Sequence, residues 1–186
     1  NCPPCEWPDI WSANLPVVPY ICARKFEAET EQGLSVLEEK SKNQFGYPVF
    51  IKPCCAGSSV GASKAANKEE FEKSVKEAFS WDDKILIEPF VKAREIECSV
   101  IGNEKQISFI PCEILPTHEF YDYEAKYKDP DGASFSIPAN LSEEQIAQVK
   151  SIAEKAYKVL DASGLSRVDF FIDKENGNLM LNEINT

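Results

Sequence analysis

Arg167 to Thr186 spell RVDFFIDKENGNLMLNEINT. Two short apolar runs flank Lys174-Glu175-Asn176-Gly177-Asn178, a Gly/Asn-rich turn of the kind that closes a β-hairpin. Side chains alternate faces along a strand, so Arg167, Asp169 and Phe171 share one face, and Leu179, Leu181, Glu183 and Asn185 share a face of the second run. Symmetric pairing about Asn176 sets Asp169 opposite Glu183 and Arg167 opposite Asn185. Two carboxylates across a ladder, with Cβ atoms about 5 Å apart, repel each other unless a positive charge lies between them. Oxygen-only ligands of this sort suit Mg²⁺, which keeps waters and usually bridges protein carboxylates to substrate phosphates. The plainer alternative is a surface hairpin with solvated acids.

Outward from the hairpin, 186 residues with 43% hydrophobic content are enough for one large or two small packed domains. Twenty basic against 31 acidic residues give a net charge of −11. That charge excludes a general nucleic-acid or anionic-membrane surface and leaves phosphate ligands to a few placed basic groups. No apolar run reaches the about 20 residues needed to span a bilayer, and no signal-peptide pattern opens the chain, so the expected location is cytoplasmic. The seven cysteines are scattered through ordinary strand and loop sequence and read as mostly reduced thiols. Cys2-Pro-Pro-Cys5 and Cys54-Cys55 lack the context of a redox motif, and with His118 as the single histidine a structural zinc site is not expected.

In chain order, residues 1–14 form an irregular or incomplete lead-in segment. Leu15 to Cys22 reads as an edge strand, where its prolines cost no ladder bonds. Thr30 to Lys42 reads as a helix, with Leu34 and Leu37 on its buried face. Tyr47 to Lys52 is a strand that runs into Cys54-Cys55-Ala56-Gly57-Ser58-Ser59-Val60-Gly61, a Gly/Ser flap whose N–H groups, hydroxyls and nearby lysine make an anion cradle. It is not a P-loop, because the Gly-Lys-Ser/Thr ending and the following helix are missing. Asn67, with Glu70 as its capping partner, opens a helix with Phe71, Val75 and Phe79 inward. Lys84 to Val91 is a strand stopped by Pro89, which leaves backbone groups suited to an adenine edge. Arg94 to Ile101 alternates, with Glu95 and Glu97 on its polar face. Ile107 to Leu115 reads as one strand, and Thr117 to Tyr127, rich in aromatics and acids, reads as a cover loop. A capping box at Ser142 and Gln145 opens a helix with Ile146, Val149, Ala153, Ala156 and Leu160 inward, closed by Gly164. These residues alone give an α+β protein equipped for Mg²⁺ and a phosphate compound.

Val49-Phe50-Ile51-Lys52-Pro53 with Gly57-Ser58-Ser59-Val60-Gly61, Leu86-Ile87-Glu88, Arg94-Glu95, Phe120 to Tyr127, Arg167-Val168-Asp169 and Leu181 to Thr186, taken in this order and spacing, resemble the bacterial D-alanine-D-alanine ligases of the ATP-grasp superfamily. The resemblance implies an α+β ATP-grasp fold, with two α+β subdomains whose antiparallel sheets grip ATP. The expected divisions are 15–102, a central subdomain with the flap, and 103–186, a C-terminal subdomain with cover loop and metal-binding hairpin. It implies a reaction in which one D-alanine carboxylate takes the γ-phosphoryl group of ATP and the amine of a second D-alanine attacks the acyl phosphate.

By the same resemblance, Lys52 and Ser59 meet the nucleotide phosphates, Glu88, Pro89, Phe90 and Val91 the adenine, and Glu95 the ribose. Phe171 lies under the base, Phe120 and Asn182 are further nucleotide contacts, and Lys126 reaches the γ-phosphate. Asp169, Glu183 and Asn185 ligate Mg²⁺, with Mn²⁺ as a substitute. Arg167 stabilises the charge built up during transfer, and Ser58 and Tyr127 help hold the closed loop and the second substrate. The family's N-terminal domain has no counterpart in these 186 residues, so the resemblance is to the ATP-grasp core. A homodimer occurs in the family, and no segment marks its surface here. The rival readings are a D-alanine-D-serine or D-alanine-D-lactate ligase and an inactive nucleotide-binding fragment.

Overall fold

Three helix starts follow directly from side chains that accept a backbone N–H. Thr30 accepts from Gly33 and begins α1 (Glu31–Phe45), Asn67 accepts from Glu70 and begins α2 (Lys68–Trp81), and Ser142 accepts from Gln145 and begins α3 (Glu143–Val159). The structure, a computed structural model, describes residues 13–56, 59–116 and 133–186. They divide into two compact units, 18–90 and 91–186, the second joined by the segment that ends at Val17.

In the first unit, β1 (Ile21–Arg24), β2 (Val49–Pro53), β3 (Ser63–Ala65) and β4 (Lys84–Pro89) form an antiparallel sheet in the order β1-β4-β2-β3. Alternation sends Ile21, Val49, Ile51, Ala65, Ile85 and Ile87 to one face, where Leu34 and Leu37 of α1 and Phe71, Val75, Ala78 and Phe79 of α2 cover them. Phe50, Lys52, Lys64 and Glu88 therefore take the other face. The edge strand expected from Leu15 is shorter at its start. Pro16 and Pro19 have no N–H to give a ladder, and only Ile21–Arg24 pairs. Val17, which belongs to the second unit, makes an isolated bridge to Leu181 within that unit.

In the second unit, β5 (Ala93–Gly102), β6 (Gln106–Ser108), β7 (Cys112–Pro116), β8 (Ala133–Ser136), β9 (Gly164–Asp173) and β10 (Leu179–Asn185) make an antiparallel sheet ordered β10-β9-β5-β7-β8, with β6 also on β5. β5 pairs with β9 along its whole length, which puts residues 93–102 in this unit rather than with the segment before it. Ile96, Cys98, Val100, Val168, Phe170 and Ile172 pack against Val149, Ala153, Ala156 and Tyr157 of α3. Tyr157, absent from the predicted stripe, is fully buried, and its hydroxyl reaches the carbonyls of Gly102 and Gly164. Ile146 and Leu160 are only partly buried. The helix closes at Leu160, and Gly164 starts β9 instead of capping the helix. The single strand expected over Ile107–Leu115 breaks in two, because Pro111 has no N–H with which to continue the ladder.

Candidate functional site

Residues opposed on an antiparallel ladder share a face, so the pairing register gives the face of the second sheet that α3 leaves open. One rung runs Ile114, Glu95, Phe171, Met180. The next runs Cys112, Glu97, Asp169, Glu183. The third holds Ser99, Arg167 and Asn185. Asp169 does face Glu183, and Arg167 does face Asn185, as symmetric pairing about the turn requires.

That symmetry fails nearer the turn. Leu181 pairs with Phe170 and Glu183 with Asp169, so Asn182 is an extra residue, a β-bulge. Strict alternation would have put Leu181 on the face of Glu183, exposing an apolar side chain or burying the acid. The bulge resolves the conflict. Leu181 and Ile184 are fully buried in the core, while Glu183 and Asn185 stay on the open face beside Met180. The expectation that Leu179 and Leu181 share the face of Glu183 and Asn185 is thereby corrected.

The middle rungs crowd charge. Arg167 donates from Nε to Asp169 Oδ1 at 2.8 Å and from Nη2 to Oδ2 at 2.8 Å. Its Nε lies 3.3 Å from Glu97 Oε1. Asn185 Nδ2 donates to Asp169 Oδ2 at 2.9 Å. Two acids thus contact one guanidinium, and Glu183, on the same rung as both, acts on it through charge alone. Burial pushes the Asp169 carboxyl up to about 7; the Arg167 hydrogen bonds and charge oppose this, and Glu183 and Glu97 add to it. The hydrogen bond to Asp169 in turn holds the Arg167 guanidinium above its ordinary value.

Asp169, Glu183 and Asn185 offer two carboxylates and an amide oxygen, a hard donor set that fits Mg²⁺. Among the described residues no three His, Cys, Asp or Glu side chains already converge as a cage. In the arrangement described, Arg167 and the Asn185 amide hydrogen-bond both Asp169 oxygens, so a cation at Asp169 would compete with Arg167 for them.

The first unit carries a separate set on its open sheet face. Glu88, 3% exposed, meets Lys52 Nζ at 2.9 Å. The Phe90 N–H donates to the Pro48 carbonyl at 3.1 Å. Pro89 has no N–H, so with the Phe90 N–H paired the expectation of unpaired N–H groups is not met at these two positions. Lys64 Nζ stands 4.1 Å from the Phe90 ring centroid. The flap is anchored at both ends. The Cys55 N–H donates to Asp82 at 2.6 Å, and Trp81 lies so close to Gly61 that a Cβ there would meet its ring at 2.5 Å. Ser59 has φ +60° and Gly61 φ +70°. Ser58, Phe120, Lys126 and Tyr127, and with them the cover loop, lie outside the described residues.

Sequence reasoning left Glu97 and Met180 out of the site. The alternation of β5 already put Glu97 on the polar face with Glu95, and only its partner strand was missing. Met180 had no legible signal, since the bulge that turns it to this face follows from packing. Cys98 and Cys112 are thiols hydrogen-bonded to backbone carbonyls, and burial pushes the Cys98 thiol up to about 11.

Residues 10–186 match the family model described as D-ala D-ala ligase C-terminus. The chain is 51% identical over 178 residues to a D-alanine--D-alanine ligase of Treponema denticola, covering 95% of this chain and 48% of that protein. Among solved structures it resembles the D-alanine-D-alanine ligase from Coxiella burnetii, with 32% identity and TM-score 0.74 over 95% of this chain and 44% of that one. It also resembles the VanG D-Ala:D-Ser ligase from Enterococcus faecalis, with 31% identity and TM-score 0.78 over 95% and 49%. The chain spans about half the length of the curated relatives it matches. The α+β architecture with antiparallel sheets is the ATP-grasp fold of these ligases.

Proposed function

We infer that this chain, which belongs to the D-ala D-ala ligase C-terminal family, is the nucleotide- and metal-binding part of an ATP-dependent, ADP-forming ligase that joins two D-alanines for peptidoglycan precursors. The observation that carries this reading is the open sheet face on which Asp169, Glu183, Asn185 and Arg167 meet on two adjacent rungs. Acyl phosphate formation requires a carboxylate oxygen to attack the phosphorus of a phosphoryl group whose oxygens already carry negative charge. Catalysis is then a matter of positioning and of stabilising charge.

Each residue set has a part in that task. Lys52, with Ser58 and Ser59 of the flap, binds the phosphates. Glu88 holds Lys52 and, with the backbone from Pro89 to Val91, meets the adenine. Glu95 takes the ribose, Phe171 with Met180 forms the apolar bed under the base, and Phe120 and Asn182 complete the nucleotide contacts. Asp169, Glu183 and Asn185 hold Mg²⁺, or Mn²⁺ in its place, which when bound screens the phosphates and orients the transferring group. Arg167 stabilises the charge that grows on the transferring phosphoryl group and then on the tetrahedral centre. Lys126 contacts the γ-phosphate, and Tyr127 helps hold the second amino acid. The reaction belongs in the cytoplasm, where ATP is available, and a homodimer is compatible with it.

Calorimetric titration of ATP with and without Mg²⁺, followed by a D-alanine-dependent phosphate assay on this chain and on a longer version of the protein, tests the reading. Mg²⁺-dependent binding and D-alanine-dependent phosphate release are expected. A folded protein that binds no nucleotide in either form overturns it. The similarity to the D-Ala:D-Ser ligase favours a second reading on the same fold, so D-serine is assayed beside D-alanine. Preference for D-serine as second substrate replaces the first reading with the second.

A further inference from the structure

Glu97 belongs to no expected ligand set, yet it stands on the same rung as Asp169 and Glu183 and within ion-pair distance of Arg167. Arg167 itself holds both oxygens of Asp169. The two facts conflict with a metal at Asp169 unless the guanidinium has somewhere else to go. Arginine is charged at any physiological pH and its fork is satisfied best by a carboxylate, so a guanidinium released into a half-buried acidic site needs a second acid. Glu97 supplies one, already 3.3 Å from Nε and on the strand across from Asp169.

We propose that Glu97 is a positioning residue: it retains Arg167 when Mg²⁺ takes Asp169, so that the metal displaces the guanidinium sideways along the rung and leaves it on the site face. This rests on the metal reading given above. Four charged groups make the exchange balanced. Asp169, Glu183 and Glu97 against Arg167 leave two negative charges when ionised, the charge of one divalent cation. A Glu97 that instead bound the metal directly would leave Arg167 with no acid to pair with once Asp169 and Glu183 were ligated.

A double-mutant cycle separates these roles. Mn²⁺ affinity is read by electron paramagnetic resonance in the presence of ADP for the wild-type chain, Glu97→Gln, Glu97→Asp, Arg167→Gln and the Glu97→Gln/Arg167→Gln pair. Glu97→Gln leaves Arg167 on Asp169 and is expected to weaken Mn²⁺ by about tenfold, the worth of one charge-assisted contact. Glu97→Asp keeps an acid within reach and is expected to recover most of that loss. Arg167→Gln removes the competitor, so Mn²⁺ binds at least as tightly as in the wild type. In that background the Glu97→Gln change is expected to cost less than about threefold, because nothing is left to retain. Equal losses from Glu97→Gln in both backgrounds would make Glu97 a direct ligand or a bare charge and overturn the proposal. So would an unchanged affinity in Glu97→Gln alone. Mn²⁺ binding that is absent in the wild type, or indifferent to Asp169→Asn, overturns the metal reading itself and this proposal with it.

Discussion

Two arginine forks sit on the same six-stranded sheet and behave in opposite ways. On the face toward α3, Arg94 grips Glu113 through Nε and Nη2, both at 2.7 Å, with a further bond to the Asn140 carbonyl at 2.7 Å. On the open face, Arg167 grips Asp169 with the same fork at 2.8 Å and 2.8 Å. The Arg94 hydrogen bond holds the Glu113 carboxyl below its ordinary value, whereas burial and two neighbouring acids hold Asp169 well above it. The contact geometry is alike, and the count of carboxylates among the described residues differs. One acid for one guanidinium is a closed pair that pins β5 to β7. Three acids around one guanidinium leave net negative charge on the open face, the charge that the proposed divalent cation would balance.

The largest effect expected from this contrast is on metal-dependent binding. Asp169→Asn and Glu183→Gln should each weaken Mg²⁺-dependent nucleotide affinity by about a hundredfold, since each removes a charged ligand oxygen from a small donor set. The melting temperature of the metal-free protein should stay the same or rise, because one source of repulsion goes. Calorimetry with and without Mg²⁺, beside thermal melts, checks both halves. A mutant that loses stability but keeps its Mg²⁺ dependence would break the comparison.

Glu113→Gln is expected to do the reverse. It leaves the part-buried Arg94 without its carboxylate and should cost about 2–3 kcal/mol in urea unfolding, with the Mg²⁺ dependence intact.

The two acids also call for opposite responses to pH. The folded Asp169 carboxyl titrates near 7 against 3.8 for the unfolded chain, so the native state binds the proton more tightly over that interval. Stability should therefore rise as pH falls through 7, and Asp169→Asn should abolish the rise. Glu113, shifted downward, contributes stability that is present above the unfolded carboxylate range and is lost as pH falls through its folded value. Glu113→Gln should flatten the acid limb alone. Urea unfolding at a series of pH values separates the two.

The smallest expected effect is a control on the shared scaffold. Ser142→Ala removes the acceptor for the Gln145 N–H and should cost about 1 kcal/mol of stability. It changes nothing on the open face, so Mg²⁺-dependent binding should not move.

The parts of this picture that were legible in the sequence are those set within a few residues. The Gly/Asn turn fixed Asp169 opposite Glu183 and Arg167 opposite Asn185, and Thr30, Asn67 and Ser142 marked their helix starts, because turn closure and capping depend on near neighbours. Alternation likewise assigned Glu97 to the polar face of its strand. Which strand that face would join was a different matter. Period-2 patterning names a face and is silent about the partner, so the placement of β5 beside β9, which brings Glu97 to Arg167 and Asp169, came from the whole sheet. Pro111 could have warned of the break between β6 and β7, since its missing N–H is a local fact.

The residues by themselves determined an α+β chain with a hairpin that sets acids across a ladder, since turn chemistry and alternation act locally and need no partner. Tertiary structure decided the bulge at Asn182. Leu181 and Ile184 had to enter one core while Glu183 and Asn185 stayed on the other face, and only packing against α3 and β9 makes both demands at once. It also decided that Glu97 joins Asp169 and Glu183 on the rung beside one guanidinium, an arrangement that depends on strands distant in sequence being brought side by side.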